Sequence, residues 1–545
     1  RMVVTRSSLW MGAVCISLGL FAEGRLSASS RMAPSRLIRM INIRSTPGHV
    51  GHRMCEKPRM MLPKARIDGL PGFLPSPSVE SVQDTVSWMQ DNSGLKQNIE
   101  SKDIEGRTTF VASRDIPKGT PILQIPSSKC ITRNDVDQDP ILSKITEGQD
   151  TITALALWIV KQRALGQDSE WAQYMKILPL FTYSPITWSQ GERDIYLKGT
   201  FVLPEARRRV DALEQIWINI AKRIVENDED FAGIREGFNL QSFIDAFSVV
   251  LAHSVPLKSA ENQLALVPLS EIVPRVPLAI LPSSSDNDQD KQVTDIDYNT
   301  EIDAVVLTSS KDIKAGDEIY LTEDFALSNA ELLLTRGQAR SGNSEDFIAI
   351  DANIVMADVL YSAKKQILDA YGMGENQKFI VYKDRLPLEL LSYLRLSRLQ
   401  SSNDLLKLNF EQDSVVSEMN EYEILQLLLS EARSISGGYA SPDTDSDRFI
   451  LKEQDSSVPQ KLAAVVRLGE KEVVSGFMDM VRTRLAPIRG IPTKQGMEDK
   501  NQEILDMFDT FEAIPKAPQK FVKSITDWWT DERNWKDSDT KPPPP

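Results

Sequence analysis

Apolar residues change their spacing along the chain, and each change marks a different kind of element. Around Val82 to Met89 they fall at helical intervals, which predicts a short helix ahead of residue 100. The texture then becomes that of strands: Phe110-Val-Ala-Ser-Arg-Asp-Ile-Pro-Lys-Gly119 followed by Ile122-Leu-Gln-Ile125 reads as two short strands joined by a Pro-Lys-Gly turn. It returns at Val305-Val-Leu-Thr and at Asp312-Ile-Lys-Ala-Gly-Asp-Glu-Ile-Tyr320. Between these stretches, Val210, Leu213, Trp217, Ile220 and Ile224 recur at intervals of three and four and place one apolar stripe on a core. A β domain with a helical insert follows. Beyond residue 346, Leu388, Leu391 and Leu394, then Ile424, Leu425 and Leu428, predict a second, all-α domain. The Ser, Asp and Asn-rich stretch Ser283 to Thr300 reads as an exposed loop. Its Asp286-x-Asp288-x-Asp290 start mimics a calcium loop, but Lys291 stands where glycine is needed and Asp297 where glutamate is.

Composition narrows the function classes. A chain of 545 residues with 41% hydrophobic and 26% charged residues holds several domains and can bury a sizeable core. Residues 1 to 67 carry 12 Lys and Arg against Glu23 and Glu56, so the net charge of -14 leaves the remainder near -24. An acidic body repels phosphate backbones, which argues against a nucleic-acid partner. Cys15, Cys55 and Cys130 have no CxxC or CxxH spacing, which excludes a disulfide framework and a cysteine zinc site; no metal is expected. Leu9 to Ala22 is an uncharged apolar run preceded by Arg6, like a signal peptide, and Arg25 to Cys55 holds six arginines and no acidic residue, like a transit peptide. Together residues 1–75 read as a two-part address for a plastid (chloroplast) enclosed by extra membranes, with a secreted protein bearing a basic linker as the alternative. His49 and His52 fall inside this leader and support no metal site.

The order of elements resembles the SET-domain protein-lysine methyltransferases of the Rubisco large-subunit methyltransferase type. Asp115-Ile-Pro-Lys-Gly119 with Ile125-Pro126 is similar to that family's opening hairpin; Trp171-Ala-Gln-Tyr-Met-Lys-Ile-Leu-Pro179 and Thr187-Trp-Ser189 to its insert; Ser328-Asn-Ala-Glu-Leu332 to its closing segment. Leu386 to Leu396, Leu427 to Arg433 and Ala464 to Val473 are similar to its substrate-binding domain. The resemblance implies an α+β fold: a SET domain of small β sheets over 78–345 with a helical insert at about 145–255, then an all-α substrate-binding domain over 346–485. It also implies a protein client presenting a lysine, and S-adenosyl-L-methionine as cofactor where the chain is active.

The family transfers a methyl group to a neutral lysine amine, so its site must align three atoms and disfavour the ammonium. Three elements that do this are altered here. The glycine-x-glycine counterpart is Gly106-Arg-Thr108, where Thr108 adds a β-branched side chain. The Asp-x-x-Asn-His counterpart lies in Val267 to Val276, with Glu271 for Asp, Pro274 for Asn and Arg275 for His. Pro274 removes a polar side chain and an N–H, and Arg275 brings a permanent charge towards a sulfonium. The position of the catalytic tyrosine falls on Glu323, a carboxylate that would hold lysine as ammonium, and a later aromatic is Arg336. A register slip would give the tyrosine's role to Tyr320 or Phe325, but Ser328-Asn-Ala-Glu-Leu fixes the spacing against it. His253, where relatives tend to carry Arg, reads as a packed residue. Two readings stand: a non-catalytic descendant that keeps the protein-binding architecture, and an active methyltransferase with unusual site residues. The segment 486–545 lies beyond the resemblance. There Phe521, Val522, Ile525, Trp528 and Trp529 make one apolar face of a helix over 518–535, which packs back on the protein or docks a partner. Its acidic flank disfavours a membrane.

Overall fold

The computed structural model describes residues 76–93, 96–104, 106–261, 263–277, 294–323, 327–441 and 443–489. The leader, the Asp286–Asp290 run, Phe325 and the expected tail helix lie outside the described residues.

Helix α1 (Val79–Ser93) precedes a set of small sheets. Strands β1 (Lys96–Gln97), β4 (Pro121–Pro126), β10 (Ala304–Ser309) and β9 (Thr294–Asn299) form a four-stranded antiparallel sheet in the order β1-β4-β10-β9. Strands β2 (Ile99–Ile104) and β3 (Arg107–Ala112) form a hairpin with Asp103 opposite Thr108. Strands β5 (Ile131–Thr132), β7 (Gln263–Leu266) and β6 (Val255–Leu257) form a third sheet, and β8 (Arg275–Pro277) runs parallel to β11 (Leu321–Glu323).

The strands flanking Pro117-Lys-Gly119 do not pair with each other, contrary to the sequence expectation: β3 joins β2, and β4 joins β10. The turn is held instead by its sequence counterpart. Ile116 bridges Ile313, Asp312 Oδ1 accepts from Lys118 N at 2.7 Å, and Asp115 Oδ1 accepts from Ala315 N at 2.9 Å. Each Asp-Ile segment thus satisfies the other's backbone donors, a long-range solution that local turn chemistry cannot reveal. The expected loop over 283–300 also needs correction, because its last residues are β9. Ile296 and Tyr298 alternate against the core, while Asp297 accepts from Ser259 N at 3.0 Å and from Ser259 Oγ at 2.7 Å.

The helical insert forms because its apolar stripes meet. In α2 (Thr151–Leu165), capped by Asp150, every residue from Ile152 to Val160 is buried. It packs against α5 (Leu240–His253), with the short α3 (Ala172–Ile177) beside α1. Helix α4 (Val202–Glu226) buries Val210, Leu213, Ile220 and Ile224, and Trp217 stacks on Phe243 at 5.6 Å. Helix α6 (Asn329–Arg336) begins at Ser328, whose hydroxyl accepts from Glu331 N while Glu331 accepts from Ser328 N, a reciprocal cap.

The following part is helical, with α7 (Leu388–Arg398), α8 (Glu418–Gly438) and α9 (Val458–Ile488), but it is not all-α. Strands β12 (Phe347–Asn353) and β13 (Asn376–Tyr382) pair antiparallel along their full length. Leu197, Val202 and Ala206, Leu333 and Leu334, and Leu462, Ala463 and Val466 share one core cluster, which joins the two parts. Here Glu470 on α9 accepts from Phe201 N at 3.1 Å and from the Tyr439 hydroxyl at 3.1 Å.

Candidate functional site

Several of the residues singled out from the sequence converge where α5 ends, β8 runs beside β11, and α6 ends. Parallel pairing sets Leu321 opposite Arg275 and Glu323 opposite Pro277. Pro274, having no N–H, uses its carbonyl to accept from Leu321 N at 2.9 Å. Arg275, half-buried, turns its guanidinium to the end of α5, where Nη2 donates to the His253 carbonyl at 3.3 Å. His253 has its Nε2 buried without a hydrogen-bond partner among the described residues. Burial, then Arg275 and Arg336, push its pKa down to about 3, so the imidazole is neutral at physiological pH. Arg336 on the last turn of α6 is buried, and burial followed by the charges of Arg275 and Arg340 holds its pKa well below the ordinary arginine value.

Glu271 sits one turn before β8. Burial pushes its pKa up to about 8, against the opposing pull of its hydrogen bonds, including one with Tyr174, and of Arg275. Its Oε1 is buried without a hydrogen-bond partner among the described residues. Tyr174 on α3, fully buried where Glu271 is half-buried, was not a sequence candidate; its signal was its place in the Trp171-x-x-Tyr174 motif. Glu271 is thus shifted towards its neutral form, and its pairing is with a phenol.

The hairpin residues behave differently. Gly106 has φ +79° at the β2–β3 turn and donates to Asp103 Oδ1 at 2.9 Å, with open space where a Cβ would stand. Its glycine is required by the turn and not by close approach of another group. Thr108 is buried, but its Oγ1 donates to the Pro77 carbonyl at 2.6 Å, so its hydroxyl binds the segment before α1. Strand β3 packs against the turn that carries Glu271. Arg107 donates to Glu318 at 2.6 Å, and the Tyr320 hydroxyl donates to the same carboxylate. Burial and then Glu318 push Tyr320 up to about 12, so its hydroxyl is committed to a structural chain.

S-adenosylmethionine, the cofactor implied by the family resemblance, would meet an unusual set of groups at these residues. A sulfonium brings its own positive charge, and this neighbourhood already holds the guanidiniums of Arg275 and Arg336. Pro274 supplies neither a donor N–H nor a polar side chain. Among the described residues no group of three His, Cys, Asp or Glu is placed to hold a metal ion.

Comparison with known proteins agrees with the architecture. Residues 356–474 match the family described as Rubisco LSMT substrate-binding. A chloroplastic ribulose-1,5-bisphosphate carboxylase/oxygenase large subunit N-methyltransferase of Nicotiana tabacum is 26% identical over 69% of this chain and 76% of its own length. A chloroplastic [fructose-bisphosphate aldolase]-lysine N-methyltransferase of Arabidopsis thaliana is 25% identical over 74% of this chain and 84% of its own. The human actin-histidine N-methyltransferase is 24% identical over 72% of this chain and 66% of its own. In structure, the SET domain of LSMT bound to lysine and AdoHcy superposes with a TM-score of 0.61 and 21% identity, covering 81% of this chain and all of that one. The chain thus joins a SET fold to a Rubisco LSMT substrate-binding domain, the make-up of the SET-domain methyltransferases that its motifs resemble.

Proposed function

We propose that this chain is a plastid SET-fold protein that binds a lysine-bearing protein client and is impaired in methyl transfer. The observation that supports this reading is the pair of guanidiniums, Arg275 and Arg336, gathered with a neutral His253 beside the donor-less Pro274, in the segment that the family resemblance assigns to the cofactor. The resemblance also sets the sequence position of the family tyrosine at Glu323, and a carboxylate in that role would favour the unreactive ammonium of a client lysine. Client binding has separate support. Within or beside the matched substrate-binding segment, Val355, Met356 and Val359 project from one turn with relative exposures of 62%, 79% and 98%. That turn borders a groove of about 530 Å³ lined by Asp358, Arg398, Glu423 and Gln426, among others. Buried Lys364, donating to Asp358 at 2.5 Å and to the Ser397 carbonyl at 2.9 Å, fixes the turn in place. A rigid apolar projection beside a polar groove suits a protein surface. Plastid location rests on the leader and on the chloroplastic relatives; a reporter fused to residues 1–75 should enter plastids, and its secretion would sink that part.

An active enzyme with atypical residues is the second reading, favoured by the acid retained at Glu271 and by the methyltransferase activity named for the relatives. The two separate on cofactor binding. Purified protein should show no thermal stabilisation with millimolar S-adenosylmethionine, since only a bound ligand raises stability by mass action. Micromolar binding by calorimetry, with label transferred to a plastid protein extract, would establish the second reading instead.

A further inference from the structure

Lys129 ends a short helical turn, Ser127–Lys129, and has no carboxylate partner among the described residues. Its ammonium lies instead 4.1 Å from the centroid of the Trp88 ring and 5.7 Å from that of Trp171. The two indoles meet edge to face at 64° with centroids 5.5 Å apart, so they form the two walls of a corner. We propose that this corner is a binding site for a quaternary ammonium, first of all the trimethylated side chain of a protein lysine, and that Lys129 is its resident plug.

The walls are built on fixed elements. Trp88 rides on α1, which Val82 and Met89 anchor in the core at 0% exposure, and Thr85 Oγ1 ties α1 to the Gln173 carbonyl at 3.1 Å. Trp171 precedes α3 and is backed by buried Trp158 at 5.3 Å and 78°. Trp88, Trp171 and Lys129 are each half-buried.

The chemistry selects the ligand. A primary ammonium is compact, strongly hydrated and carries three donors, and indole faces offer it no strong acceptor. Each added methyl removes a donor, weakens hydration and adds apolar surface, while the charge still meets the negative face of the ring. The two indole faces therefore hold a trimethylated ammonium better than the free lysine now in place. The inference does not depend on the loss of methyl transfer, because the corner is built from α1, α3 and the Ser127–Lys129 turn and uses none of the residues at the β8–β11 site.

Calorimetric titration of the full chain tests it, with N-acetyl-Nε-trimethyl-lysine amide as probe. Lys129→Ala should bind the probe at least tenfold more tightly than wild type, and should bind unmethylated N-acetyl-lysine amide at least tenfold more weakly than the probe. Adding Trp88→Ala should abolish binding. Because truncating Trp88 also threatens the docking of α1, Lys129→Ala with Trp88→Phe is measured beside it and should retain binding, reduced several-fold. Choline separates the sources: tighter binding of the lysine derivative supports a protein side chain, and equal binding supports free quaternary ammonium compounds at the same corner. Failure of Lys129→Ala to bind either compound at millimolar concentration overturns the proposal, as does a folded Trp88→Ala double variant that binds undiminished. In that event Lys129 serves only to clasp α1.

Discussion

On the function proposed above, Pro274-Arg275 stands at the family's asparagine and histidine positions and changes two things at once. It removes hydrogen-bonding groups, and it brings a guanidinium onto the carbonyl that ends α5. His253 reports the second change, because burial is the first cause of its low pKa and Arg275 the next. In Arg275→Met, the His253 signal followed by NMR, assigned against His253→Gln, should titrate at higher pH than in wild type while staying below the value of a free histidine. An unmoved titration would show that the guanidinium is too far away to matter. The site should also respond as a unit. Pro274→Asn, Arg275→His and Glu323→Tyr made together should raise S-adenosylmethionine binding and radiolabel transfer above wild type, whereas each alone does little; a single change that restores full transfer would contradict this. Motif spacing singled out Arg275, His253 and Arg336 one by one in the sequence, and the structure brings them together. What the spacing could not show was Tyr174 against Glu271 or Thr108 against Pro77, since both partners come from distant elements.

Among the elements, the helices follow their apolar periodicity: the stripe from Val210 to Ile224 is buried in α4, and Leu391 and Leu394 are buried in α7. Strands were harder to place, because a short strand's texture says that it pairs but not with what. Phe110 to Ile125 contains two strands of different sheets, and β9 hides in a polar stretch whose alternate residues Ile296 and Tyr298 are its only apolar signal. Close approach between elements is likewise invisible to periodicity. Gly199, at φ +82°, lies against the backbone of Gly438 at the end of α8, and a Cβ there would stand 2.4 Å from the Gly438 carbonyl carbon. Gly199→Ala meets both a strained φ and a backbone that cannot swing aside, so urea denaturation should show a loss of ~2–3 kcal/mol. A loss below ~0.5 kcal/mol would mean that the junction relaxes freely.

For the whole molecule, the joint between the SET fold and the helical part depends on acids that fold into a dry setting. Glu470, 5% exposed, accepts from Phe201 N and from the Tyr439 hydroxyl, and Arg467 attracts it. Burial outweighs these and, with the nearby Asp346 charge, pushes its pKa up to about 8; Asp346 is itself raised to about 6, chiefly by burial. A carboxyl with a raised folded pKa binds its proton more tightly in the native state than in the unfolded chain. Its contribution to stability is therefore fully present below pH ~4.5, falls as pH rises, and is lost once pH passes about 8. Glu470→Gln keeps an acceptor for Phe201 N and a polar neighbour for Tyr439 but removes the titration. Its unfolding free energy should vary less between pH 5 and 8 than that of wild type, and the variant should be the more stable of the two at pH 8 by a few kcal/mol at most. Asp346 and Glu271 shift in the same direction and add to the remaining slope, while His253, held neutral in the fold, acts against it. Guanidinium denaturation at several pH values decides the matter: parallel stability curves for the two proteins would show that Glu470 is already ionised and paired in the fold, and that the joint tolerates its charge.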